Sequence, residues 1–186
     1  MNIHQKIIGY LPYGLPAILD VGVKDIVIGY VNNKGTNSYF FKKSGNVHHS
    51  RFKPLLKPLD SLNESFVNEH GVLTSYIKEL FKLIPEECYS CMFFTSKEDE
   101  LLESATFQVD DGWNNVLTIP FGENELEFSI STNRIVLFIS GEDFVGSYLD
   151  LENISEIISS LYEYGFDFHG LINDGLAKKI ETHHGK

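Results

Sequence analysis

Cysteine is nearly absent: Cys88 and Cys91 are the only two in 186 residues, too few for the disulfide framework of a small secreted scaffold. Arginine is almost as scarce, with Arg51 and Arg134 the only two among fifteen basic side chains. The guanidinium fork is what grips phosphates and base edges, so its scarcity argues against direct nucleic-acid binding. Long apolar runs are missing too. The apolar opening, residues 1–22, is interrupted by Pro12, Gly14, Pro16 and Asp20. It offers neither the continuous core of a secretory signal nor the ~20 apolar residues of a membrane span. The expectation is a cytoplasmic protein with no membrane partner. The common catalytic signatures are also lacking: no phosphate loop, no Rossmann glycine fingerprint, no His-Glu-x-x-His and no Gly-x-Ser-x-Gly. The chain is therefore read as non-catalytic, with no cofactor and no metal.

What is present suits a globular domain. Hydrophobic residues make up 42%, aromatics 13% and charged residues 22%, enough for a core without staples at this length. The net charge of −11 is unevenly spread. Residues 1–60 hold eight basic and three acidic side chains, whereas residues 61–186 hold seven basic and twenty-three acidic ones. The acidic part repels polyanions and attracts a basic partner. Cys88 and Cys91 form a Cys-x-x-Cys, but a redox pair needs its first cysteine at a helix N-terminus, where the dipole lowers the thiol pKa. Here a helical run ends at Ile84-Pro85 and the cysteines lead into strand-like Met92-Phe93-Phe94-Thr95. A zinc site needs two further ligands at matching spacing, and neighbouring histidines such as His48-His49 or His183-His184 rarely reach one ion together. The pair reads as two reduced cysteines entering a strand.

The pattern predicts an α+β fold: a small curled antiparallel β unit, then a helix, then a β-meander packed by a C-terminal helix. The division falls into 1–62, β-rich, and 63–186, α+β with an acidic surface, within one compact fold. Short strands run over Ala17–Val23, Asp25–Val31 and Asn37–Lys43, separated by turn sequences such as Ser44-Gly45-Asn46. Ile26, Val27, Ile28, Tyr30 and Val31 leave Asp25–Val31 apolar on both sides, the pattern of a strand buried on both faces. Leu73, Tyr76, Ile77, Leu80, Phe81 and Ile84 recur at helical spacing and predict a helix over 72–84. The meander strands are 115–121, 125–131 and 134–140. Asp150 caps a helix over 151–164 that ends at Gly165.

Two sets of polar residues are candidates for a site. The first is an acidic band with Glu98, Asp99, Asp110, Asp111, Glu123, Glu125 and Glu127, interrupted by the sole tryptophan, Trp113. Glu125 and Glu127 share one strand face about 7 Å apart, a spacing comparable with that of successive phosphates. Carboxylates so presented can occupy a nucleic-acid groove on another protein, with Trp113 as an interface anchor. The plain alternatives are a solvated acidic face and a buried tryptophan plugging the sheet. The second set is basic: Lys42, Lys43, His48, His49 and Arg51. Histidine titrates near neutrality and the cations hold anions, so this set suits a nucleotide-like ligand. On an extended strand His48 and His49 point to opposite faces, so at most one serves a given site. Its alternative is a solvated strand end.

Tyr10-Leu11-Pro12-Tyr13-Gly14-Leu15, the run from Lys53 to Leu62 (KPLLKPLDSL) and the run from Phe166 to Ala177 (FDFHGLINDGLA) occur in that order. Together they resemble a group of small proteins encoded by phages and prophages of Bacteroidota, with Lys57 where that group more often has arginine. The likeness covers residues 10–62 and 166–177. It implies a mobile-element protein acting in a bacterial cytoplasm and carries no catalytic residue, cofactor or activity. Physically, both segments read as fold determinants. Leu171 to Asp174 makes a helical turn with Gly175 at its C-cap, and Leu171, Ile172 and Leu176 pack inward. The leading expectation is a non-catalytic, anti-CRISPR-like counter-defence inhibitor. It would bind a host protein, one that itself handles nucleic acid, through the acidic, nucleic-acid-mimicking face. The alternative is a protein that sequesters a nucleotide or other small molecule.

Overall fold

The structure is a computed structural model that describes residues 3–33, 36–48, 51–68, 70–85, 106–108, 115–121, 124–141, 144–147 and 149–180. In chain order its elements are α1 (Ile3–Ile8), β1 (Leu15–Leu19), β2 (Lys24–Asn33), β3 (Thr36–Phe41), β4 (Gly45–His48), β5 (Phe52–Leu56), β6 (Ser65–Val67), β7 (Leu73–Ser75) and α2 (Tyr76–Phe81). After these come β8 (Thr106–Gln108), β9 (Asn115–Phe121), β10 (Asn124–Ser131), β11 (Arg134–Gly141), β12 (Phe144–Ser147), α3 (Leu151–Glu163) and β13 (Lys178–Lys179). Tight 3-10 turns occupy Leu11–Tyr13 and Leu59–Asn63. The class is α+β, with antiparallel sheets, a meander and a C-terminal helix. The chain divides into two compact units: residues 1–58 with 161–186, and residues 59–160. The C-terminal segment, grouped from the sequence with the acidic part, thus clusters with the first unit.

The first unit is a six-stranded sheet in the order β13-β5-β1-β2-β3-β4, antiparallel except for the β13–β5 pair. Strand alternation builds its core: Leu15, Ala17, Leu19, Val27, Tyr39, Phe41, Phe52 and Leu56 point to one face and join Ile7, Tyr10, Leu171 and Ala177. The other face is wetter. Ile26 and Ile28 are 38% and 56% exposed, which corrects the expectation that β2 is buried on both sides. Antiparallel sheets commonly cover one face only, and apolar composition alone does not cover the second. The β3–β4 turn is held by Asp25, whose carboxylate accepts the Ser44 hydroxyl at 2.7 Å and the Ser44 amide at 2.8 Å. It also accepts the amides of Lys43 and Ile26.

The C-terminal segment is stitched to the first unit by its backbone. Lys57 donates to the Gly165 carbonyl, Asp167 donates to the Lys57 carbonyl, and Ile180 donates to the Leu56 carbonyl, each at 2.8 Å. Two turns of the same design organise it. At the end of α3, Gly165 donates to the Tyr162 carbonyl and Phe166 to the Leu161 carbonyl. This is a Schellman closure, and its left-handed position (φ 74° at Gly165) suits glycine. Gly175 and Leu176 repeat the pattern, donating to the carbonyls of Ile172 and Leu171. The turn thus forms as the sequence predicts, but Leu176 is 39% exposed and Ala177 is the residue that enters the core. The segment after α1 and the one after α3 meet here: the Tyr10 hydroxyl donates to the Phe166 carbonyl at 2.7 Å.

The second unit holds a five-stranded antiparallel sheet, β12-β11-β10-β9-β8. Its strands β9, β10 and β11 are the predicted meander, with Asn133 (φ 58°) in the hairpin turn that pairs Ser131 with Arg134. The expected helix over 72–84 is shorter: α2 covers Tyr76–Phe81, and Leu73–Ser75 is strand β7, paired with β6. Local hydrogen bonding decides this. Asn68 Oδ1 accepts the amides of His70 and Val72 at 3.0 Å, closing a hairpin turn that draws Leu73 out of the helix. Leu73 is accordingly 71% exposed, while Ile77, Leu80, Phe81 and Ile84 are buried. Helix α3 starts as predicted, with the Asp150 carboxylate accepting the Asn153 amide at 2.9 Å.

Candidate functional site

Opposite charge separates the units. The first carries eleven basic and six acidic side chains, the second four basic and twenty acidic. Within the second, β10 presents Glu125 and Glu127 on one face while Leu126, Phe128 and Ile130 are fully buried on the other. Strand alternation forces this separation: a shift of one residue would bury both carboxylates. Glu125 lies opposite Ser140 and Pro120, and Glu127 opposite Phe138 and Thr118. The face changes character along the strand. Glu125 is exposed, Glu127 half-buried, and Ser129, Val116 and Val136 at the far end are buried. Of the remaining acidic candidates, Glu98, Asp99, Asp110, Asp111 and Glu123 lie outside the described residues, as do Trp113, Cys88 and Cys91.

The basic candidates are spread along the β3–β4 hairpin. Lys42 and Lys43 stand at its turn, next to the Phe41–Gly45 pair, and His48 stands opposite Ser38 at the other end. Three residues of strand separate the two ends, about 10 Å. Arg51 follows the hairpin, its carbonyl accepting the Asp20 amide at 3.0 Å, and His49 lies outside the described residues. Lys42, Lys43, His48 and Arg51 are all exposed. Lys42 and Lys43 share one locus, and the hairpin does not bring His48 to it. Among the described residues no group of three or more His, Cys, Asp or Glu side chains is placed to hold a metal ion. None of their helices is long and apolar enough to cross a membrane.

Sequence reasoning missed a tyrosine-lined cleft in the first unit. It has a volume of about 220 Å3 and is bounded by Tyr10, Tyr13, Leu55, Lys57, Tyr162 and Glu163. The Tyr10 and Tyr162 rings lie 4.6 Å apart at 58°. Both hydroxyls are committed inward: Tyr10 to the Phe166 carbonyl and Tyr162 to His169 Nε2, each at 2.7 Å. Burial pushes both phenols above their ordinary range, so they stay neutral. His169 moves the opposite way, lowered by burial and by the nearby Lys6 ammonium, with Asp167 opposing. Gly9 permits this packing, since a Cβ there would stand 2.3 Å from Tyr162 Cε2. A faint signal was legible: Tyr-Gly dipeptides at 13–14 and 164–165 end two structured segments. Nothing in the sequence joins them.

No protein-family model matches the chain, and no curated protein or solved structure matches it.

Proposed function

We propose that the chain is a non-catalytic binding protein that engages a host protein through the acidic face of its second unit. The observation that carries this reading is the pair Glu125, exposed, and Glu127, half-buried, which share one face of a strand packed on its other side, in a unit of twenty carboxylates and four basic groups. A rigid strand holds the two charges in register, so a basic groove meets a preorganised array and not a flexible tail. Nucleic-acid-binding proteins offer such grooves, and occupying one excludes the natural polyanion. The resemblance to phage and prophage proteins adds the setting: a bacterial cytoplasm, with a nucleic-acid-handling defence factor as target. Affinity resting on these charges falls steeply with salt, because exposed pairs are screened beyond about 8 Å at physiological ionic strength.

The test is capture of partners from bacterial lysate with the tagged chain, washed at 50 and 500 mM salt (about tenfold apart in screening ions). The reading expects a stoichiometric partner that elutes with salt and loses its own nucleic-acid binding when the chain is present. A partner that stays bound at high salt and keeps its nucleic acid would refute the mimic.

A further inference from the structure

The cleft beside Tyr10 is independent of the acidic face, and its size restricts what it can hold. An apolar cavity of about 150 Å3 accepts benzene, whereas pockets for larger cofactors and drug-sized ligands run from about 300 Å3 upward. At about 220 Å3 the cleft fits one aromatic ring with small substituents and is too small for a nucleotide. Its chemistry narrows the choice further. Tyr162 is half-buried and offers ring surface, its hydroxyl engaged by His169, while Tyr10, 1% exposed with its hydroxyl donated to Phe166, backs that ring from the core. Those internal bonds also fix the rings before any ligand arrives, which lowers the entropic cost of binding. Tyr13, 44% exposed, forms an outer wall, and Leu55 contributes aliphatic surface. Tilted aromatic arrangements of the kind Tyr10 and Tyr162 already make extend readily to a third ring.

The charged lining consists of one cation and one anion, Lys57 and Glu163. Lys57 is half-buried with its ammonium 5.4 Å from the Phe166 ring centroid, and Glu163 ends α3 at the exposed rim. A purely anionic ligand meets repulsion from Glu163, and a purely cationic one from Lys57. A ligand with both charges meets an opposite charge at each, in addition to the contact Lys57 already makes with Phe166. We propose that this cleft binds a small aromatic zwitterion, the chemistry of a free aromatic amino acid. The ring sits against Tyr13 and Tyr162, the carboxylate faces Lys57 and the ammonium faces Glu163.

The experiment titrates the full chain with L-phenylalanine, L-leucine, phenethylamine and 3-phenylpropionate, following backbone amide signals by two-dimensional NMR. The proposal expects saturable shifts at Tyr13, Leu55 and Gly165 with phenylalanine, in the millimolar range or tighter. Leucine, which lacks the ring, and the two single-charge analogues bind at least tenfold more weakly. Leu55→Trp fills the cleft and weakens phenylalanine at least tenfold. Tyr13→Ala, at an exposed wall that the core does not need, weakens it severalfold with the remaining spectrum unchanged. Lys57→Gln erases the preference for phenylalanine over phenethylamine and leaves its preference over phenylpropionate. Equal affinity for all four probes would overturn the proposal. So would the absence of saturable shifts at these residues, or phenylalanine binding unaffected by both Leu55→Trp and Tyr13→Ala.

Discussion

Replacing Asp167 with alanine tests whether the C-terminal segment is an integral part of the first unit. Asp167 is 5% exposed, and its two carboxylate oxygens accept the amides of Leu171 at 2.8 Å and Ile172 at 2.7 Å. These amides open the turn that carries Leu171 into the core at 0% exposure. Alanine leaves both without an acceptor, in a place water reaches poorly. An orphaned buried amide costs about 1–3 kcal/mol, and loss of a capping carboxylate typically about 1 kcal/mol. The two descriptions overlap, so the expected total is about 2–4 kcal/mol. With a urea m-value of about 2 kcal/mol per molar, the midpoint falls by about 1–2 M. Asparagine keeps one acceptor oxygen and turns an NH2 toward the other amide, so it recovers about half at best. The assay is urea denaturation followed by near-ultraviolet circular dichroism, with amide hydrogen exchange read at Leu171 and Ile172. A loss under about 1 kcal/mol, with exchange at those amides unchanged, would refute the reasoning and leave the segment an appendage.

The two helix starts in the second unit should respond differently to alanine. Asp150→Ala removes the acceptor for Asn153 and costs about 1 kcal/mol, while Ser75→Ala costs nothing measurable or stabilises, since the buried Ser75 Oγ has no hydrogen-bond partner among the described residues. Equal effects in thermal denaturation would contradict this. Gly9→Ala drives a methyl group into the Tyr162 ring and should cost about 1–3 kcal/mol, against a fraction of that if the ring moves aside freely. His169 links stability to pH. Its folded pKa lies below the ordinary value of 6.5, so the unfolded chain takes up the proton first. The associated stability is complete above about pH 6.5 and declines as pH falls through that value toward the folded pKa. Urea midpoints measured from pH 7.5 to 5.5 should fall in the wild type and fall less in His169→Gln. An identical slope in both would rule out this histidine as the cause.

Much of the second unit was legible because its signals are local. Glu125-Leu126-Glu127-Phe128 alternates with period two, and Asp150 sits three residues before the amide it caps, so the meander and the start of α3 follow from neighbouring residues. The helix over 72–84 failed for a reason that is also local but opposed. The helical spacing of Leu73 competes with the turn made by Asn68, and the turn wins because two amides are satisfied at once. Burial of β2 failed because Ile26 and Ile28 are apolar on a face that the described structure leaves exposed. The tyrosine cleft left no more in the sequence than two separate Tyr-Gly dipeptides. Tyr10 and Tyr162 are brought together by long-range bonds, those of the Lys57 and Asp167 backbone and of the Tyr10 hydroxyl to Phe166, which no periodicity announces. Of the acidic band, Glu125 and Glu127 fall where alternation predicts.

The central claim is that those two carboxylates face a protein partner. Its most direct test is the affinity of the captured partner for the wild type, for Glu125→Lys with Glu127→Lys, and for Lys42→Glu with Lys43→Glu as a charge change of similar size in the other unit. The first pair should weaken binding at least a hundredfold at physiological salt, about 2.7 kcal/mol, in a chain that still unfolds cooperatively, with the second pair binding like the wild type. Full affinity retained by Glu125→Lys with Glu127→Lys would contradict it.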